Sequence, residues 1–257
     1  MLNVAPTLTI VAPAAGALNA VNTAVNLSAS FTDPGTADTH TCTINWDDGA
    51  SSQAGTLSES AGSGTCIGSK SFASAGVYNI QVTVSDDDSG SDTESVMVVV
   101  YDPSAGFVTG GGWIDSPPGA YTPEDPTDPD ITGRANFGFV SRYQNGATTP
   151  TGQTEFQFQA GNLNFHSSNY QWLVVAGAKA QYKGTGTING VAGYSFLLTA
   201  TDGQISGGGG MDKFRIKIWS IASDTVIYDN VPGTSEDIDA ANPQPIANGS
   251  IVIHKGK

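Results

Sequence analysis

The densest run of chemically capable side chains is Asp86-Asp87-Asp88-Ser89-Gly90-Ser91-Asp92-Thr93-Glu94. Carboxylates this close on a glycine-containing loop repel one another unless water or a hard cation stands between them, and Ca2+ takes about six to eight oxygen ligands. The run therefore reads as a calcium site or, equally, as a solvated acidic turn. It is not an EF-hand, because the ligand spacing and flanking helices of that motif are missing. A second group is Lys213-Phe214-Arg215-Ile216-Lys217-Ile218-Trp219. Alternation puts Phe214, Ile216 and Ile218 on one face and Lys213, Arg215, Lys217 and Trp219 on the other. Three cations beside an indole read either as a contact to anionic glycan or as a strand whose cations pair with acids such as Glu155 and guard a sheet edge.

Catalytic constellations do not emerge. His40, His166 and His254 stand singly, with no His-x-x-x-His or Cys-x-x-Cys spacing for zinc. No Gly-x-Ser-x-Gly elbow is present. Gly110-Gly111-Gly112-Trp113 is not a phosphate loop, since no Gly-Lys-Ser/Thr follows. Glu155 and Asp212 have the residue types for glycosidic cleavage, but among 24 acids some pair always will. Lys179 and Lys183 are the strand lysines to test for an internal isopeptide bond. The expectation is a protein that is not an enzyme.

The elements that carry these residues follow from composition and periodicity. The 257 residues include 32 Gly and 13 Pro, scattered with Ser, Thr, Asn and Asp between short apolar runs, which predicts an all-β chain of two tandem antiparallel β-sandwich domains. Ten Lys+Arg against 24 Asp+Glu give a net charge of −14, which repels phosphate backbones and anionic lipid and excludes unaided binding to nucleic acid or a membrane surface. Val96 to Tyr101, the longest apolar run, is far short of the ~20 residues of a spanning helix, so no membrane insertion is expected. Residues 1–20 lack a basic stretch followed by a compact apolar one, so no export signal is read there. The two cysteines, Cys42 and Cys66, either stay buried as thiols or form a bridge closing a 24-residue loop. In an oxidising compartment such a bridge contributes roughly 3 kcal/mol. Low Lys content and Thr/Ser/Gly/Asn richness agree with an extracellular location.

Residues 1–102 form the first predicted domain. Val25, Leu27, Ala29 and Phe31 share one face, Cys42, Ile44 and Trp46 another, and Tyr78, Ile80, Val82 and Val84 a third. The string Cys42-Thr43-Ile44-Asn45-Trp46-Asp47-Asp48-Gly49, followed by Phe72-Ala73-Ser74-Ala75-Gly76-Val77-Tyr78 and the Val-rich stretch ending at Asp86, resembles a PKD (polycystic kidney disease) domain. Asp47 stands where that family usually has Gly, and Phe72 replaces the first Tyr of its motif. The resemblance implies an Ig-type sandwich serving as an extracellular spacer or adhesion module. Some such domains bind calcium through the acidic turn after the second strand and the Asp ending the Val-rich strand. Carried over by position, this nominates Asp33 and Asp86, with Asp38, Asp88 and Asn3 as further candidates.

Residues 103–257 form the second predicted domain, with strands expected at 107–114, 132–142, 153–159, 170–183, 192–201, 211–219, 225–229 and 249–254, arranged as a sandwich or jelly roll. Tyr121, Tyr143, Tyr170 and Trp172 are either a sugar platform or core. The Pro- and acid-rich stretch from Asp115 to Asp130 reads as a surface loop in which Glu124, Asp125, Asp128 and Asp130 offer a second calcium site or remain disordered. Its Gly-Gly-Gly-Trp opening, Phe137-Gly138-Phe139-Val140, Asn162-Leu163-Asn164-Phe165-His166 and Asp212-Lys213-Phe214-Arg215-Ile216 resemble a β-rich module that follows PKD repeats in secreted bacterial proteins. The resemblance implies location and architecture only. The resulting expectation is a non-catalytic extracellular structural or adhesive module of a bacterial surface or secreted protein, with calcium-stabilised loops. Its partners would be other surface-protein domains or an extracellular glycan or protein ligand. The second reading is a carbohydrate-binding accessory region of a secreted hydrolase.

Overall fold

The computed structural model describes residues 3–123, 130–144 and 147–256. Every regular element among them is a β-strand, as the distribution of glycine, proline and alternating apolar residues requires. The chain divides into two units, Met1–Val100 and Tyr101–Lys257, each with its own apolar core.

The first unit comprises β1 (Thr7–Ala12), β2 (Ala17–Ala20), β3 (Ala24–Thr32), β4 (His40–Asn45), β5 (Gln53–Ala54), β6 (Thr56–Ser60), β7 (Ser63–Ser71), β8 (Gly76–Asp86) and β9 (Ser91–Tyr101). Two antiparallel sheets result, ordered β1-β3-β7-β6 and β2-β9-β8-β4-β5. Their inward faces carry the alternating residues seen in the sequence: Val25, Leu27, Ala29 and Phe31 on β3, Cys42 and Ile44 on β4, Ile80, Val82 and Val84 on β8, all buried. Cys42 on one sheet is bonded to Cys66 on the other, with Cα atoms 6.2 Å apart, so the bridge spans the two layers. Trp46, just past β4, is 3% exposed and meets Phe72 edge-on at 6.3 Å between ring centroids. This is the layered, cross-linked arrangement of Ig-type sandwiches.

The second unit comprises β10 (Gly106–Ser116), β11 (Gly133–Arg142), β12 (Thr151–Phe158), β13 (Leu163–Ala176), β14 (Lys179–Ile188), β15 (Val191–Thr201), β16 (Lys213–Ser220), β17 (Val226–Asp229), β18 (Gln244–Pro245) and β19 (Asn248–Lys255). They form one antiparallel sheet, ordered β17-β16-β15-β14-β13-β12-β11-β10-β19, with β18 joined to β16. The two layers of this sandwich-like unit are halves of that single sheet folded over. Phe137 on β11 and Phe214 on β16 lie five strands apart in the order, yet their rings stack at 4.1 Å. Register shifts in the β13–β14 pairing, between Ser167 and Asn169 and between Tyr170 and Trp172, supply the local bends that such folding needs.

The strand expected over 170–183 is in fact the end of β13, a turn at Gly177-Ala178, and the start of β14. The turn residues Gly177-Ala178 end the run Leu173 to Ala178, which contains no Asn, Asp, Ser or Pro to announce a turn; Gly177, at φ 59°, supplies the left-handed conformation. Tyr170 and Trp172 are 8% and 5% exposed and belong to the interior, not to a sugar platform. Tyr121 and Tyr143 are partly buried against the same core. The outer face of β14, β15 and β16 is covered in turn by the segment 230–241. Gln181 Nε2 donates to the Glu236 carbonyl at 2.8 Å, and Lys179 Nζ donates to the carbonyls of Ile238 and Asp239 at 3.0 and 2.9 Å. Edge strand β19 pairs with β10 on one side; on the other, Ile251 N donates to Asp212 Oδ2 at 2.7 Å and Ile253 N to Asp202 Oδ2 at 2.9 Å.

Candidate metal centre

At one end of the first unit the loop between β3 and β4 meets the hairpin between β8 and β9. The sandwich brings these segments together because His40 pairs in register with Asp86, so each chain leaves the sheet at the same level. Asp33, Asp38 and Asp86 converge there, each offering one carboxylate oxygen within 4.8 Å of the others.

Each carboxylate is held differently. Asp33 is 5% exposed; its Oδ1 accepts the Gly35 N–H at 2.6 Å and its Oδ2 faces His40 Nε2 at 3.1 Å. Asp86 is 8% exposed; its Oδ1 accepts the N–H groups of Asp88 and Gly90 at 2.9 and 2.7 Å, and its Oδ2 accepts the Asn3 amide at 2.9 Å. The Asn3 bond, with the two backbone donors, outweighs burial and holds the Asp86 carboxyl below its ordinary range. Asp38 is half-buried. Desolvation and the neighbouring Asp33, Asp87, Asp88 and Asp86 push its carboxyl above the usual value.

Two glycines leave the room this convergence needs. A Cβ on Gly35 would stand 1.9 Å from Asp38 Oδ2, and one on Gly90 would stand 2.3 Å from Asp86 Oδ2. An all-oxygen set of this kind suits a hard cation such as Ca2+, whereas zinc prefers nitrogen and sulfur. The residues present therefore fit calcium.

Of the five nominated residues, Asp33, Asp38 and Asp86 are brought together. Asn3 braces Asp86 through its NH2 group, and Asp88 contributes its backbone N–H while its side chain stays outside the converging set. His40 and Glu59 were not singled out as site residues. The His40 ring lies between Asp33 and Glu59, with Nδ1 2.8 Å from Glu59 Oε2. Burial alone would lower its pKa, but the two carboxylates outweigh that effect and raise it, favouring the imidazolium that donates from both nitrogens. The signal available was the place of His40 in the buried alternation with Cys42 and Ile44.

The basic face of β16 is not the open stripe its alternation suggests. Arg215 is 2% exposed and its Nε and Nη2 bind Asp229 at 2.9 and 2.7 Å, so it is withdrawn from any surface ligand. Lys217 pairs with Glu236 and lies 5.6 Å from the Trp219 ring; Lys183 lies 5.2 Å from the same ring, and Lys213 reaches Asn242. Glu155 pairs with His166, while Asp212 binds the N–H groups of Gly203 and Ile251, so the two are not a catalytic couple. Glu124, Asp125 and Asp128 lie outside the described residues.

A disulfide-linked double sheet with a carboxylate-lined end defines the first unit as an Ig-like module. Residues 3–100 match the family model of the PKD domain, a class generally without catalytic activity and typical of extracellular proteins. A solved structure, "Structures of Clostridium thermocellum CbhA fibronectin(III)-like modules", aligns with 12% identity over 87% of this chain and 90% of that one, at a TM-score of 0.31. No curated protein matches the chain.

Proposed function

We propose that this chain is a non-catalytic structural or adhesive module of an extracellular surface or secreted protein, its first unit stiffened by Ca2+ at Asp33, Asp38 and Asp86. The observation behind this reading is the convergence of three carboxylates from segments about fifty residues apart, two of them buried, around a space that two glycines keep clear. Asp33 and Asp86 are preset by backbone donors, and Asp38 is the member whose charge is least well accommodated. A bound cation supplies the positive charge that offsets this repulsion and ties the β3–β4 loop to the β8–β9 hairpin. The module then acts as a stiff spacer between other domains of a surface protein, or presents a surface to an extracellular ligand.

Calorimetry of the full chain in chelator and in millimolar Ca2+ tests the reading. At a hundredfold excess over Kd the first unit gains about 2.7 kcal/mol. Asp38→Asn abolishes most of that gain while leaving the calcium-free stability equal or higher, because it removes a crowded charge. A melting temperature unmoved by calcium overturns the metal assignment.

A further inference from the structure

We propose that the outward face of β10–β13 in the second unit binds a neutral oligosaccharide along the row Trp113, Asn136, Gln157 and Asn164. These four residues are direct cross-strand partners: Trp113 pairs with Asn136, Asn136 with Gln157, and Gln157 with Asn164. In an antiparallel sheet such partners project from one face. The opposite face is the core, where Ile114, Ala135, Phe137, Phe156 and Phe165 are buried. With strands about 4.8 Å apart, the row runs roughly 14 Å from the indole to the last amide, the reach of a short run of sugar rings.

The chemistry of the row is that of polyol recognition. A side-chain amide offers both donors and an acceptor, which suits neighbouring hydroxyls that also do both. The amides of Gln157 and Asn164 are exposed and have no partner among the described residues. Asn136, Gln157 and Asn164 line a depression of about 240 Å3 together with Gln159, Asn162 and the edge of Leu163. Its rim is braced by Asn189, whose Oδ1 accepts the Asn164 N–H at 3.0 Å and whose Nδ2 donates to the Asn162 carbonyl at 2.7 Å.

Trp113 supplies the stacking surface at the other end. Arg134 approaches its ring at 4.8 Å from the Asp115 side of the register, and its Nε donates to Asn136 Oδ1 at 2.8 Å, which fixes both neighbours. Along the strand in the other direction come Gly111 and its partner Gly138, which place no side chain beside the indole; a Cβ on Gly138 would meet nothing within 4 Å. A half-buried indole next to two bare glycines leaves room for a sugar ring to lie on the sheet.

Charge selects the ligand class. In a chain of net charge −14 the four side chains of the row are uncharged; the flanking acid Glu155 is paired with His166, and Asp115, two residues beyond Trp113, stands opposite Arg134. Arg134, the cation at its Trp113 end, is turned to the indole and to Asn136, so the row offers an anionic ligand no charge of its own, and it has no aliphatic residue to draw an apolar partner.

Affinity electrophoresis of the full chain through gels containing hydroxyethyl cellulose, xylan or glucomannan, with and without chelator, tests this. At least one polysaccharide is expected to retard the protein equally in both buffers. Trp113→Ala is expected to weaken retention about tenfold. Gln157→Ala with Asn164→Ala, which removes only exposed, unpartnered amides, is expected to do so with an unchanged melting temperature, and Trp219→Ala is expected to retain full retention. Absence of retardation in all three gels, or retention lost in Trp219→Ala but kept in the other variants, overturns the proposal. Insensitivity to chelator keeps this outcome separate from that of the calcium site.

Discussion

Arg215 and Asp229 meet through two parallel hydrogen bonds, Nε to Oδ1 at 2.9 Å and Nη2 to Oδ2 at 2.7 Å, with the residues 2% and 5% exposed. Each partner makes a further bond: Nη1 donates to the Ser235 carbonyl at 2.9 Å and Asp229 Oδ1 accepts the Val231 N–H at 3.0 Å. The pair thus anchors the covering segment 230–241 to the sheet. Asp229→Ala strands a guanidinium in a dry environment and is expected to cost about 3–5 kcal/mol in chemical denaturation. Arg215→Met combined with Asp229→Leu is expected to recover most of it. A loss below about 1 kcal/mol for the single variant would place the pair with ordinary surface bridges.

The Cys42–Cys66 bridge links the two sheets of the first unit across a sequence separation of 24 residues. Replacing both cysteines by Ala is expected to remove about 2–4 kcal/mol, through the freedom returned to the unfolded chain and the lost packing. In calorimetry the transition of the first unit should fall and that of the second should stay. Equal stability of the oxidised and reduced first unit would contradict this.

Asp48 pairs with Lys70, and that hydrogen bond, ahead of partial desolvation, holds its carboxyl below the ordinary 3.8. A carboxyl whose folded pKa lies under its unfolded one stabilises in full above the unfolded value and loses that contribution as pH falls through the folded value. Asp48→Asn is therefore expected to cost at most about 1 kcal/mol near neutrality, less in high salt, and progressively less as the pH falls below the unfolded value. A gap between the two proteins that widens on acidification would reverse the sign and refute the assignment.

Alternation makes most strands legible in the amino-acid sequence. Val25, Leu27, Ala29 and Phe31 face the core as their period of two requires, and the strands carrying Phe137, Phe139, Phe156 and Phe214 follow the same rule. The rule failed where burial has a second, distant cause. Arg215 lies on the polar face of an alternating strand, but the segment 230–241 closes over that face, and nothing within β16 encodes this. The β13–β14 turn is hidden because Gly177 and Ala178 directly follow the apolar run Leu173 to Ala176 with no Asn, Asp, Ser or Pro between them and Lys179. At the candidate metal centre, the resemblance nominates Asp33 and Asp86, yet the bracing of Asp33 by His40 and Glu59 depends on β4 of one sheet packing against β6 of the other. Side-chain patterns report the face of a strand; they do not report what is laid over it.

The carboxylates of Asp202 and Asp212 occupy the outward N–H groups of Ile253 and Ile251 on β19. An unpaired strand margin is otherwise a template on which a neighbouring molecule can add its own backbone. With those donors already taken, the β19 margin is closed to that kind of strand addition at Ile251 and Ile253.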